Sequence, residues 1–227
     1  NRSSDLLVTI WRSRFHVPVD TTMGSYTTPR IYYDQYFYVN SIGMVINDST
    51  HVGTLAAATT NTAYPSPYNP NTRFVKEQYI YIADQIHAAG HGAGTISALS
   101  FYLENIGGTS VNEYTFSEYT IKMGTTTMST FPTGSNPQFV PSAGLTQVFT
   151  SSNLTIHRSD IGWIQHKLST PFDWDGTSNI VVEVFHSIGT ALTSGASTRY
   201  TSQANTVLTT KHATNDAQTA TTGSRSP

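Results

Sequence analysis

The chain has 227 residues, a formal charge of −2 and a pI near 6.5, and 37% of its residues are hydrophobic while only 11% are charged. This length suits one sizeable β domain or one domain with a short annex, and the scattered Lys and Arg residues give no basic field for a phosphate backbone, which excludes nucleic acid as a partner. The absence of cysteine excludes disulfides and thiolate metal sites, and no apolar run approaches the ~20 residues of a membrane helix, so we predict no membrane insertion.

The N-terminal part of the chain contains three strand candidates. They lie at 6–11 (LLVTIW), 30–39 (RIYYDQYFYV) and 43–46 (GMVI). We predict that residues 1–50 form an N-terminal strand segment and that residues 51–227 form a β-sandwich module. The segment fits three roles, namely an annex that completes the sandwich, a donor strand passed to a neighbouring subunit, or the end of a preceding domain.

The strand predicted at 30–39 has an aromatic face. Alternation places Tyr32, Asp34, Tyr36 and Tyr38 on one side, opposite a mainly apolar side. Three tyrosines and a carboxylate can stack on sugar rings or cover a partner protein, so we predict these four residues to be a ligand-binding site. The alternative is a strand buried on both faces, because so large an exposed patch is uncommon on a monomer.

The rest of the chain consists of short alternating blocks separated by turn residues. A tract with three prolines at 59–73 predicts an ordered coil, and ADQIHAAG at 83–90 is the only plausible helical turn, closed by its glycine. The polar tail after residue 187 suits edge strands and long loops. We therefore predict an all-β fold, a two-sheet antiparallel jelly-roll-like sandwich with one short helical turn. Alternation predicts that Phe172 fills the core and that Phe172→Ala costs about 3–5 kcal/mol. The full predicted core is Ile80, Ile82, Ile96, Leu99, Phe101, Ile121, Val148, Ile164, Leu168, Phe172, Ile180, Val182 and Val184.

One histidine falls inside a predicted strand. In GWIQHKL (162–168), alternation puts His166 between apolar neighbours on one face, and Trp163, Gln165 and Lys167 on the other. We interpret His166 as a core or half-buried histidine that bonds to a backbone carbonyl, rather than as a catalytic or metal-binding residue.

Metal sites are not predicted. His87 and His91 have the spacing of helical metal ligands, but the glycines that flank His91 end the helix. Asp173 and Asp175 flank a tryptophan in a turn, where Asp usually bonds nearby backbone N–H groups. A calcium site there is the second interpretation, but it needs at least about six oxygens and the turn offers few. We predict no cofactor.

Catalytic residues are not predicted either. The sequence contains no G-x-S-x-G motif, and no nucleophile, base and orienting group can be assembled from local motifs. Carboxylates that could serve a glycosidase are Glu104, Glu113, Glu118 and Glu183, although the sequence does not show whether two of them converge. Glu183 alternates with valines, which predicts that it faces the open side of its sheet or pairs there with Lys or Arg.

Three segments carry a resemblance to a known family. They are A-x-x-I-x-A-A-G at 83–90, T-I-K-M-G at 120–124 and the G-W…P-F-x-W-D-G-T-S-N-I hairpin at 162–180. Together they resemble a β-sandwich module of secreted, multidomain surface proteins of Bacteroidetes. The resemblance implies a non-catalytic module that accompanies adhesins, gliding-motility proteins and peptidases exported by the type IX pathway. The family's last strand follows an Arg-Pro pair, whereas this chain reads SRSP, so we expect that strand to be missing, cut off or supplied from elsewhere.

Three functions follow as hypotheses. The first is an extracellular or cell-surface, non-catalytic module that binds a glycan or a cell-surface protein within a larger secreted chain. The second is a structural subunit that self-assembles into a fibre by strand exchange. The third is a hydrolase domain, for which the sequence offers the least support.

Overall fold

The computed structural model of the protein describes residues 15–17, 30–32, 37–39, 45–47, 51–53, 57–58, 64–135, 137–201, 206–212 and 217–226. The chain divides into two units, Asn1–His51 and Val52–Pro227. The described strands of the first unit are β1 Phe15–Val17, β2 Arg30–Tyr32, β3 Phe37–Val39 and β4 Val45–Asn47. They form two antiparallel pairs, β1 with β2 and β3 with β4.

The second unit is built almost entirely of strands. Its one described α-helix, α1, is Ala83–Ala88, and short 3-10 turns lie at Ser142–Gly144, Arg158–Asp160 and Ala217–Thr219. Its described strands, β5 to β16 in chain order, are Ala57–Ala58, Phe74–Tyr81, Gly94–Asn105, Glu113–Phe116, Glu118–Thr126, Thr146–Ser151, Leu154–His157, Gly162–Trp174, Asn179–Ser187, Ser197–Tyr200, Val207–His212 and Ser224–Ser226.

Two sheets form the body of this unit. The larger has the order β10-β9-β13-β6-β15-β16 and the smaller has the order β12-β7-β14-β5, while β11 pairs with β8. Every one of these pairings is antiparallel. The chain crosses between the sheets from β6 through α1 to β7, and again from β12 to β13. The predicted all-β, two-sheet antiparallel sandwich is therefore confirmed.

The sandwich core lies between the inner faces of the two sheets. Alternate residues of β13, such as Val182 and Val184, pack in one cluster with Leu103 of β7 and Leu168 of β12. Burying such side chains is the main stabilising contribution to the fold. Of the residues that alternation predicts for this core, five are only partly buried, namely Ile82, Ile96, Leu99, Ile164 and Phe172.

The outer face of the larger sheet is also covered. Strand β13 is buried along nearly its whole length, on both faces. Ile80, which alternation predicts for the sandwich core, instead packs with Phe131 and Phe139 in a second apolar cluster. It does so because its position in β6 places it on the outward face, where the segment between β9 and β10 crosses the sheet.

The segment between β9 and β10, which covers the outer face of the larger sheet, changes the environment of Glu183. Its side chain is 1% exposed and lies 3.4 Å from Lys76 Nζ and 3.8 Å from Lys122 Nζ. Ser142 Oγ and Gln78 Nε2 donate to Glu183 Oε2 over 2.5 and 2.8 Å. The predicted pairing with lysine is confirmed, but the expectation of an open face is wrong because the residues around Ser142 cover it.

The helical turn lies where it was predicted. Ala83 and Ile86 are its buried residues, and Gly90 ends the turn with a φ of 89°. The neighbouring β12–β13 turn has its own requirement for glycine. Gly176 has a φ of 78°, and a Cβ there would lie 2.7 Å from the Cβ of Ala93.

Candidate functional site

Among the described Phe, Trp and Tyr side chains, the most exposed one belongs to the smaller sheet. Trp163 in β12 is 47% exposed, and it is the only exposed Phe, Trp or Tyr among the side chains that the structure describes. Its position follows from the period of the strand, because His166 and Leu168 point into the core and residues of the opposite parity point outward. Trp163 therefore marks the outer face of the four-stranded sheet.

Three neighbouring strands contribute to the surface around Trp163. Tyr102 of β7 is the residue directly opposite Trp163 in the strand pairing, and the two rings meet edge to face with centroids 5.4 Å apart. On the next strand, β14, the guanidinium carbon of Arg199 lies 5.8 Å from the centre of the Tyr102 ring. Such a distance is within the range of a cation–π contact. Trp163, Tyr102 and Arg199 thus form a row across the sheet.

An ion pair borders this row. Arg199 donates from Nε and Nη2 to the two carboxylate oxygens of Glu104, over 2.5 and 2.9 Å. The hydrogen bonds that Arg199 donates to Glu104, followed by the charge of this carboxylate, raise the pKa of Arg199. Side-chain exposure is 40% for Arg199 and 32% for Glu104, so both groups can be reached from solvent. We call Trp163, Tyr102, Arg199 and Glu104 the outer aromatic surface.

This surface combines two kinds of recognition chemistry. The indole offers a flat apolar face, and the Arg199–Glu104 pair is fixed in a bidentate geometry that leaves N–H groups and lone pairs for a ligand. Hydroxyl groups can both donate to Glu104 and accept from Arg199. The arrangement therefore suits a ligand with an apolar face and a hydroxylated edge.

The site predicted from the sequence lies elsewhere in the chain. Tyr32 ends β2 and Tyr38 is in β3, and these strands belong to two different two-stranded sheets. Asp34, Tyr36 and the side chains of Tyr32 and Tyr38 lie outside the described residues. The aromatic face of 30–39 stays a prediction.

The outer aromatic surface could have been found in part from the sequence. The alternation that turns His166 inward also turns Trp163, Gln165 and Lys167 outward, which is the signal for an exposed tryptophan. The contribution of Tyr102, Glu104 and Arg199 depends on pairing between strands that are distant in sequence, and no local pattern carries that information.

His166 is a core residue. It is 2% exposed and stacks on Tyr119 with centroids 5.3 Å apart and an interplanar angle of 14°. Burial lowers its pKa to about 4. The predicted burial is confirmed, but its partner is the hydroxyl of Tyr68, 2.7 Å from Nε2, rather than a backbone carbonyl. The difference arises because the loop before β6 carries Tyr68 into the core.

His87, in α1, contacts the turn between β12 and β13 and the backbone of His91. His87 Nε2 lies 2.7 Å from the carbonyl oxygen of Gly176, and its Nδ1 lies 3.0 Å from that of His91. The ring also packs against Trp174, with centroids 5.3 Å apart. Among the described residues, no group of three or more His, Cys, Asp or Glu side chains has the arrangement of a metal site.

The acidic residues named as possible catalytic groups lie on three sheets, and the two that share the larger sheet are not opposite each other, because Glu118 pairs with Ser187 and Glu183 with Lys122. Glu104 is on the outer face of the smaller sheet, and Glu183 is buried on the outer face of the larger one. Glu113 lies on β8, 3.0 Å from His157 Nδ1, and Glu118 accepts from Gln218 Nε2 over 3.3 Å. Glu104 and Glu183 are thus on opposite sides of the sandwich.

In the acidic turn after β12, the Asp175 carboxylate accepts hydrogen bonds from residues of the same turn. Asp175 Oδ1 accepts from the backbone N–H groups of Thr177 and Ser178, both at 2.7 Å, as predicted for an Asp in such a turn. Together with the Ser178 hydroxyl, these bonds lower the pKa of Asp175 to about 2. Asp173 accepts from the hydroxyl of Thr95 over 2.5 Å.

No helix within the described ranges is both long and apolar enough to cross a membrane. Comparison of the chain with protein-family models, with curated proteins and with solved structures gives no match. The family resemblance carried by the three sequence segments stays an expectation.

Proposed function

We propose that the protein is an extracellular, non-catalytic β-sandwich module that binds a glycan through the outer aromatic surface, as one part of a larger secreted chain. The observation that carries this proposal is Trp163, a tryptophan that is 47% exposed and lies in one row with Tyr102 and Arg199. An indole that is nearly half exposed keeps apolar surface that a ligand can cover. Its exposure on a regular strand points to a role in binding.

The polar neighbours favour a glycan over a protein partner. Protein interfaces need an apolar core of many side chains, usually with about 800 Å² buried on each partner. Here one indole adjoins a bidentate Arg199–Glu104 pair. A single aromatic platform beside fixed hydrogen-bonding groups matches a small, hydroxylated ligand.

The extracellular location rests on composition and on the resemblance to secreted surface modules. Charged residues make up only 11% of the chain, well below the usual share of about 25%. The described carboxylates that could serve hydrolysis are each engaged by other groups, as for Glu183 with Lys76 and Glu104 with Arg199. These contacts support a binding role in preference to a hydrolytic one.

A glycan array tests the proposal. The wild-type chain and a Trp163→Ala variant are compared on the same array, with Ile161→Ala as the matched control because Ile161 is 44% exposed, two positions away and not aromatic. We expect wild type and the control to bind the same neutral glycans and Trp163→Ala to lose them. Absence of glycan binding by the wild type, or capture of a cell-surface protein through Trp163 instead, would contradict the proposal.

A further inference from the structure

The outer face of the larger sheet brings a serine hydroxyl and a glutamine amide to the same carboxylate oxygen. Ser142 lies in the segment between β9 and β10, which we call the covering segment, and Gln78 and Glu183 lie on the adjacent strands β6 and β13. Glu183 Oε2 accepts from Ser142 Oγ over 2.5 Å and from Gln78 Nε2 over 2.8 Å. The hydroxyl and the amide are therefore neighbours, although they are far apart in sequence.

The amide of Gln78 is fixed and polarised. Its Oε1 accepts from the backbone N–H of Val140 over 2.8 Å, and its Nε2 donates to the carbonyl oxygen of Val140 over 2.8 Å as well as to Glu183. A backbone N–H on the carbonyl oxygen stabilises the negative charge that develops there when a nucleophile adds to the carbonyl carbon. The amide carbon is thus held as an electrophile, with its nitrogen on the carboxylate.

The hydroxyl of Ser142 has a base and a cation beside it. The carboxylate of Glu183 can take its proton. The ammonium of Lys76 donates to the same Oγ over 2.8 Å and stabilises negative charge that develops on that oxygen. Lys122 Nζ lies 3.8 Å from the other carboxylate oxygen of Glu183. Folding therefore places nucleophile, base and electrophile together, which removes the entropic cost of bringing them into contact.

The cluster is shielded from water. Gln78 is fully buried, and the side-chain exposures of Lys76 and Glu183 are 3% and 1%. Phe139 packs over the ammonium, with its ring centre 4.7 Å from Lys76 Nζ. Exclusion of water suppresses hydrolysis of a reactive bond. An ester formed in this cluster is therefore protected from hydrolysis while the chain is folded.

We propose that Ser142 and Gln78 form an intramolecular ester that ties the covering segment to β6. A lone pair of Ser142 Oγ forms the bond to Gln78 Cδ, while Glu183 takes the hydroxyl proton. The Cδ–Nε2 bond then breaks as Glu183 passes that proton to the nitrogen. The nitrogen leaves as ammonia, so the chain loses one NH3 and the step needs no other reactant. Glu183 ends in the ionised form in which it began.

The intact mass of the denatured wild-type chain tests this inference. We expect a mass below the sequence mass by one ammonia. After trypsin digestion, the peptides 77–122 and 123–158, which contain Gln78 and Ser142, should be found joined. Alkaline hydroxylamine should separate them, because it cleaves esters and leaves amides intact.

Variants assign the roles of the side chains. Ser142→Ala and Glu183→Gln should each have the full mass of their sequence. Ser169→Ala is the matched control, because it removes a hydroxyl that donates to the carbonyl oxygen of Val148 away from this cluster, and it should keep the loss of ammonia. A wild-type chain at its full sequence mass would overturn the inference. A loss of water instead of ammonia, or a link that resists hydroxylamine, would also overturn it, since either result assigns the bond to other groups of the cluster.

Discussion

Lys76 and Glu183 form a buried ion pair between the adjacent strands β6 and β13, with Lys76 Nζ 3.4 Å from Glu183 Oε2 and side-chain exposures of 3% and 1%. The ammonium is further held by Ser142 Oγ at 2.8 Å and by the carbonyl oxygen of Ala220 at 2.9 Å. It also lies 4.7 Å from the ring centre of Phe139. The pair thus ties the segments that cover the larger sheet to its two central strands.

Removal of one partner of this pair should be costly. Glu183→Leu leaves the buried Lys76 ammonium without its nearest counter-charge, and we expect a loss of about 3–5 kcal/mol in the free energy of unfolding by urea. Glu113→Leu is the matched control, because Glu113 forms an exposed pair with His157 and should change stability by less than about 1 kcal/mol. Equal effects of the two substitutions would contradict the structural role assigned to Glu183.

Stability should fall as the pH is lowered below neutrality. Burial lowers the pKa of His166 to about 4 and that of His186 to about 3, whereas an unfolded histidine titrates near 6.5. Between these values the unfolded chain binds protons that the folded chain does not, so stability is lost as the pH falls from about 6.5 toward 4. For His166 alone the loss is on the order of 3 kcal/mol.

Urea unfolding at several pH values between about 7 and 4 measures this loss. The His166→Leu and His186→Leu variants should each have a flatter dependence than wild type. An unfolding midpoint that is independent of pH in this window would show that the two histidines are not buried in neutral form.

The two buried histidines should respond differently to the same substitution at neutral pH. His186 is fully buried and neither ring nitrogen has a hydrogen-bond partner among the described residues, so His186→Leu should be neutral or stabilising by up to about 1 kcal/mol. His166→Leu removes the 2.7 Å partner of the Tyr68 hydroxyl and should cost about 1–3 kcal/mol. Thermal unfolding of the two variants side by side distinguishes them, and the reverse order would contradict the assigned environments.

Trp174 rather than Phe172 should be the aromatic residue that closes its end of the sandwich. Trp174 is 4% exposed and its Nε1 donates to the carbonyl oxygen of Ser178 over 2.8 Å, so Trp174→Ala should cost about 3–5 kcal/mol. Alternation predicts the same loss for Phe172→Ala, but Phe172 is only partly buried, and we now expect less than about 2 kcal/mol. Chemical denaturation of both variants measures the difference, which would vanish if the sequence-based expectation were right.

The sequence was sufficient for features that depend on local patterns. Alternation in β13 predicts that Val182 and Val184 face the core, and the motif at residues 83–90 predicts the helical turn. The structure confirms both. The hydrogen bonds of the Asp175 carboxylate can be predicted because its partners, Thr177 and Ser178, are close in sequence.

Features that depend on contacts between segments distant in sequence cannot be predicted from local patterns. Phe172 follows a register irregularity between Lys167 and Phe172 in the pairing with β7, which interrupts simple alternation. Glu183 is covered by residues about forty positions earlier, and Tyr68 reaches His166 from a loop that precedes β6. The outer aromatic surface combines three strands, so only its tryptophan could be inferred from one strand alone.

The affinity of Trp163→Ala for a neutral oligosaccharide that the wild-type chain binds is the most direct test of the proposed function. Isothermal titration calorimetry compares wild type, Trp163→Ala, Trp163→Phe and the control Ile161→Ala, after circular dichroism has shown that all four are folded. Because one aromatic residue in a contact surface can carry most of the binding energy, we expect Trp163→Ala to weaken binding at least about tenfold. Trp163→Phe should retain part of the affinity and Ile161→Ala nearly all of it. Unchanged affinity in Trp163→Ala would contradict the assignment of the binding site to this surface.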